Sequence, residues 1–156
     1  MKTRLTLLAL ILVCMSCFKS KDPVPAVAVT NGDTGSWTYG GTTYQGTSST
    51  WVASSLVSTA DKPRSSTIEA MFSSANPSSG TYTISTNGQV SSANQVIISV
   101  VDSALPALVY MSTDGGTVSV SRSGKSTTIT VNNLKLKGIT QDLKADSIVV
   151  TGTIKN

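Results

Sequence analysis

Two runs of alternating β-branched residues around a glycine turn decide the architecture of this chain. Between Gly116 and Gly138, Val118 and Val120 alternate with Ser119 and Ser121. Ser123-Gly124-Lys125 follows as a turn, and Ile129 and Val131 then alternate with Thr128 and Thr130. Alternation of period two sends successive side chains to opposite faces of a strand. Two such runs about a short Gly turn make a β-hairpin. The parity then slips, because Ile129 and Val131 are odd whereas Leu134 and Leu136 are even. Asn132-Asn133 takes up the extra residue, which is how a β-bulge bends a long strand around a core.

The rest of the chain repeats this grammar. Trp37-Thr38-Tyr39-Gly40-Gly41-Thr42-Thr43-Tyr44 reads as a second hairpin, with Gly40-Gly41 permitting the positive φ of a two-residue turn. Gly46 to Thr59 is Ser/Thr-rich and reads as one irregular strand with its flanks. Strands are expected over Thr67–Ser73 and Thr81–Thr86, the latter ending at the Asn87-Gly88 turn. Gln95 to Val101 is nearly all apolar, so it is expected to be a central strand buried on both faces. Leu108 to Ser112 is a short strand, Ile139 to Ala145 the one stretch that reads as a helical turn, and Ser147 to Lys155 a closing strand. Strand-plus-turn units of about eight to twelve residues imply an all-β fold, a single antiparallel sandwich or barrel of about nine strands over 36–156.

The first segment stands outside that domain. Lys2 and Arg4 precede an almost unbroken apolar run from Leu5 to Met15. A basic start followed by a short apolar core is a secretory signal, too short for a permanent bilayer span of about 20 residues. The run ends at Val13-Cys14-Met15-Ser16-Cys17. Ser16-Cys17 resembles the lipobox of bacterial lipoproteins, in which a small residue precedes the Cys that is diacylated. That resemblance implies cleavage after residue 16 and lipidation of Cys17, although Cys14 stands where the pattern prefers an aliphatic residue. The alternative is a soluble secreted protein cut near Lys21. Residues 17–35, with Pro23, Pro25 and the turn chemistry of Asn31-Gly32-Asp33, read as a lipid anchor and flexible tether.

Composition removes several function classes. Both cysteines lie in the leader, so the body has no disulfide and depends on its hydrophobic core. The formal net charge of +4 falls to +2 without Lys2 and Arg4, and the remaining bases are scattered, so no nucleic-acid surface is expected. Only 13% of residues are charged while Ser and Thr make up roughly 30%, so hydroxyls solvate the outer faces. The chain has no His, which removes Ser-His-Asp chemistry and His-based metal sites. Glu69 is the one glutamate, and nothing in the spacing sets an Asp across from it as a glycosidase pair requires. No phosphate-binding Gly pattern is present. The expectation is a non-enzyme with no cofactor and no metal, Asn31, Asp33 and Asp114 serving as turn formers.

Trp37, Tyr39, Tyr44 and Trp51 form the candidate ligand-binding set. Trp37 and Tyr39 share a strand face and Tyr44 lies near them across the hairpin. Exposed, such rings would stack sugars; buried, they would fill the core of a domain otherwise short of large side chains. Asp102-Ser103-Ala104 and Asp146-Ser147-Ile148 match the O-glycosylation tripeptide of exported Bacteroidetes proteins, which makes Ser103 and Ser147 candidate glycan acceptors.

Several stretches together resemble small Bacteroidetes-type lipoproteins of unknown function. They are Trp37–Tyr44, Phe72, Pro77-Ser78-Ser79-Gly80-Thr81-Tyr82-Thr83-Ile84, Tyr110-Met111-Ser112 with Gly115–Val120, and Val150-Thr151-Gly152-Thr153-Ile154. The resemblance implies an outer-membrane lipoprotein on the periplasmic or cell-surface face, and it brings no catalytic residues. The expected function is a non-enzymatic envelope or surface binding module held to the membrane through its lipid, with carbohydrate the first ligand class to test. The alternative is a structural envelope component acting through contacts with other proteins.

Overall fold

The computed structural model describes residues 34–156. The signal peptide, Cys17 and all but the last two residues of the expected tether lie outside the described residues. Every regular element described is a strand, and all eleven belong to one sheet. In chain order they are β1 (Gly35–Tyr39), β2 (Thr42–Gln45), β3 (Ser48–Val52), β4 (Ser55–Ala60), β5 (Ser66–Phe72) and β6 (Gly80–Ile84). They continue with β7 (Gln95–Val101), β8 (Val109–Ser112), β9 (Thr117–Ser123), β10 (Ser126–Ile139) and β11 (Ala145–Lys155).

The expected hairpins form. β1 and β2 pair about Gly40-Gly41, whose φ values of 56° and 74° give the doubly left-handed turn that suits the twist of a hairpin. β9 and β10 pair about Gly124-Lys125, from Ser123 opposite Ser126 to Ser119 opposite Thr130. The register of β10 with β11 shifts between Val131 and Leu134, where Asn133 has φ 48°. That is the bulge implied by the parity slip: Ile129, Val131, Leu134 and Leu136 all remain in the core.

Several expectations need correction, beginning with two: the described strands number eleven, not about nine, and Gln95–Val101 is not buried on both faces, since Val101 is exposed. Gly46–Thr59 is two strands, because Ala53 takes φ 52° and folds β3 back on β4 as a hairpin with no glycine. Ile139–Ala145 holds no helix: β10 runs through Ile139, and Thr140 closes a turn by exchanging hydrogen bonds with Lys144 before β11 begins. The sheet is mixed, since β6 runs parallel to β7 with Ile84 opposite Val96. Residues 85–94 carry the chain back across instead of making a tight turn, as a parallel pair requires.

Sheet order is β2-β1-β11-β10-β9-β6-β7-β5-β4-β3, and β8 bridges β7 and β10. Strands β3, β4, β5, β7, β8, β10 and β11 therefore lie side by side and antiparallel. Residues in register form continuous rows. One inward row runs Leu56, Ala70, Ile98, Ser112 and Leu136, all fully buried. The β1–β2 end of the sheet comes round to meet β4: Ser58 Oγ donates to the Thr34 carbonyl (3.2 Å), and Thr47 N–H to the Thr59 carbonyl (2.7 Å). Phe72 and Tyr82 pack edge to face at 5.1 Å within the core.

Candidate functional site

Trp37 and Tyr44 are directly opposite in the β1–β2 register, and Tyr39 is two residues along on the same face. The three rings stack, Tyr39 on Tyr44 at 4.7 Å between centroids and Trp37 on Tyr44 at 6.2 Å. The cluster expected from the sequence thus exists, but it faces inward. Trp37 and Tyr39 are 1% exposed and Tyr44 is 0% exposed, so they cannot offer a stacking surface to a sugar. A glycine makes room for them. Gly152 of β11 lies opposite Trp37 with φ 151°, and a Cβ there would come within 2.5 Å of the Trp37 Cα. Trp51 stands apart on β3, partly buried, its ring tilted against Phe72 at 6.1 Å.

The stack ends on a carboxylate. Asp102 follows β7 with its side chain 0% exposed. Its Oδ2 accepts from the hydroxyls of Tyr39 (2.7 Å) and Tyr44 (3.0 Å) and from Arg64 Nε (2.9 Å). Its Oδ1 accepts from the Ala104 N–H (2.8 Å). Ser66 Oγ lies 2.8 Å from the Tyr39 hydroxyl and accepts from Trp37 Nε1 at 3.2 Å. A phenol has one proton, and Asp102 can only accept, so that proton points at Asp102 and the Ser66 hydroxyl donates to Tyr39. The chain of donors runs from the indole N–H through Ser66 and Tyr39 to the carboxylate. Arg64 also covers the Tyr44 ring, its Cζ 5.8 Å from the centroid.

Burial alone would raise the pKa of Asp102. The donors from Tyr39, Arg64, Ala104 and Tyr44 outweigh it and hold the carboxyl below the usual carboxylate range. Tyr39 is pushed well above the ordinary phenol value and Tyr44 is raised, in both cases chiefly by burial, with the hydrogen bond to Asp102 adding to it. Every group is held in its resting protonation state, and the acceptor that would serve as a base is saturated with donors. This arrangement fixes the β1–β2 hairpin to the end of β7 and the start of β5.

A smaller copy of the device closes the other end of β11. The Tyr110 hydroxyl donates to Asp146 and accepts from the Ala107 N–H at 3.2 Å, and Asp146 Oδ1 accepts from the Ser147 N–H at 2.8 Å. Burial, then the Asp146 hydrogen bond, raises Tyr110 above its ordinary value. Both candidate glycosylation tripeptides therefore contain an aspartate bound to buried tyrosine. Ser103 is exposed in the turn after β7, and Ser147 is exposed on the outer face of β11. Glu69 lies on β5 between Val57 and Ser99, its Oε2 3.4 Å from Ser99 Oγ. Among the described residues, no group of three or more acidic or thiol side chains could hold a metal ion.

Sequence reading missed Asp102, Arg64 and Ser66 as one unit. Their positions are far apart in the chain, and only strand pairing brings them together; the one early signal was three aromatic residues with polar tips in a body with few charges. No protein-family model, curated protein or solved structure matches this chain.

Proposed function

We propose that this chain is an exported, lipid-anchored and non-enzymatic module of the cell envelope that works through contacts with other protein surfaces. The observation that carries this reading is the inward stack of Trp37, Tyr39 and Tyr44 on Asp102, which turns the best candidate sugar platform into core. Large apolar side chains are exposed elsewhere, on the outer sheet face at Val101, Val109, Ile139 and Val149, and beside it at Leu108. Apolar side chains gathered on one sheet face offer another macromolecule a place to dock. Export and anchoring at Cys17 rest on the leader, and the resemblance to small Bacteroidetes-type lipoproteins supports an outer-membrane location. The meeting of the β1–β2 end with β4 supports a sheet closed on itself as a barrel-like domain.

Two experiments on the full chain in its own cells test the reading. Cys17→Ala is expected to move the protein from the membrane to the soluble fraction; retention in the membrane would refute the anchor. A photo-crosslinking residue at Ile139 is expected to give discrete protein adducts, whereas one at Lys125 in the β9–β10 turn is not. No adduct from Ile139 would overturn the contact reading, and adducts that glycosidases remove would replace it with carbohydrate binding.

A further inference from the structure

The exposed apolar residues are ordered by the sheet. One outward row crosses Thr67 (β5), Val101 (β7) and Val109 (β8), and Ile139 of β10 follows one step beyond the Gly138–Tyr110 pair. Val101, Val109 and Ile139 are 39%, 43% and 63% exposed. The next row crosses Glu69, Ser99, Met111 and Lys137 on the same four strands. The apolar row thus runs beside a row with an anion at one end and a cation at the other. Glu69 is the only glutamate in the chain. Lys137 is half exposed, and its ammonium contacts Asp114.

We infer that this face is a dimer interface and that its occupant is a second copy of the same chain. Place a two-fold axis parallel to the strands, above the line between β7 and β8. Two strands then lie on each side, β5 and β7 against β8 and β10. The rotation sets Val101 of one copy over Val109 of its partner and Ile139 over Thr67. It also sets Glu69 of each copy over Lys137 of the other, making two identical charge pairs from one asymmetric row. An isologous interface needs this kind of self-complementarity. Sheets pack face to face at about 10 Å, and a two-fold axis parallel to the strands keeps the copies aligned because both twist with the same hand.

The opposite ends of the molecule agree with this occupant. The described chain enters at Thr34, whose carbonyl accepts from the Lys155 N–H at 3.3 Å. The apolar row ends beside Ala145, at the far end of β11, roughly 30 Å away at about 3.3 Å per residue. The described chain thus enters at the opposite end of β11 from the apolar row, which leaves this face clear of its own entry. A footprint confined to two rows on four strands is small for a stable interface, so the dimer is expected to be weak, dissociating at micromolar concentrations.

The inference rests on the protein-contact reading, and its test is separate. The full chain, purified in detergent, would be weighed by analytical ultracentrifugation between 1 and 100 µM. The expected result is a monomer that becomes a dimer across this range. Glu69→Lys and Lys137→Glu should each weaken association at least tenfold, and the double exchange should restore it. Val109→Asp should leave a monomer with unchanged circular dichroism. A wild-type monomer at 100 µM would overturn the inference and assign the face to a different protein or to lipid; the Ile139 adduct would then carry another polypeptide. A dimer indifferent to all four variants would overturn it too.

Discussion

Replacing Asp102 with Ala removes the acceptor on which the aromatic stack depends. The Ala104 N–H would lose its partner inside the protein, and the Tyr39 and Tyr44 hydroxyls would keep only Ser66 and each other. Each buried donor left without an acceptor costs about 1–3 kcal/mol. Arg64 adds little to this, because its side chain is 40% exposed and water replaces the carboxylate; exposed pairs are worth about 0–1 kcal/mol. The expected loss is therefore about 3–5 kcal/mol for Asp102→Ala and clearly smaller for Arg64→Ala, whose side chain reaches solvent. In a domain of this size the first corresponds to a fall in Tm of roughly 10–20 °C. Thermal unfolding of a leaderless chain starting at Asp22, followed by far-ultraviolet circular dichroism, reads both. Because the folded-state pKa of Asp102 is depressed, its contribution is complete above the unfolded value of about 3.9 and fades as pH falls through the folded value. The advantage of the native chain over Asp102→Asn should therefore be constant from pH 7 to about 5 and shrink from there toward pH 2. Equal losses for Asp102→Ala and Arg64→Ala, or an advantage that grows on acidification, would refute the reasoning.

Further outcomes follow from the same geometry. Tyr39, Tyr44 and Tyr110 have raised folded-state values, so their stabilisation is complete below the unfolded phenol value of about 10 and is lost as pH rises through the folded one; their absorbance change near 295 nm should coincide with loss of the strand signal in circular dichroism. Gly152→Ala sets a Cβ 2.2 Å from the Ser36 carbonyl oxygen at a backbone φ of 151°, so it should cost about 3 kcal/mol or more in denaturant titration. Gly40→Ala meets open space and should cost about 1–2 kcal/mol for its left-handed backbone alone. Among the described residues the buried hydroxyl of Thr127 has no hydrogen-bond partner, so Thr127→Val should raise stability by about 1 kcal/mol, seen as a Tm higher by a few degrees.

What could be read from the sequence was local. The odd-to-even slip at Asn132-Asn133 contains the bulge, because parity is a property of one strand and its core. Gly40-Gly41 contains the first hairpin for the same reason. Ala53 gave no such signal: a non-glycine residue with positive φ carries the β3–β4 turn, so two strands read as one. The parallel β6–β7 pair was equally hidden, since Asn87-Gly88 has the chemistry of a tight turn but sits inside a longer return. The aromatic cluster was legible as a cluster, and the shortage of other large side chains favoured core for at least one Trp; that all of Trp37, Tyr39 and Tyr44 face inward was not legible. Which face of a β1–β2 hairpin is buried depends on what β5 and β7 bring against it, and Ser66 and Asp102 reach it only through pairing across the whole sheet.

The inward stack carries the account, and tryptophan emission tests it directly. In Trp51→Phe the one remaining indole is Trp37, 1% exposed and bound to Ser66 Oγ. Acrylamide quenching would be measured on that leaderless chain, alone and with a panel of polysaccharides. The account predicts blue-shifted emission that acrylamide barely reaches and no polysaccharide alters. Red-shifted, quenchable emission that a glycan protects would place Trp37 at the surface and contradict it.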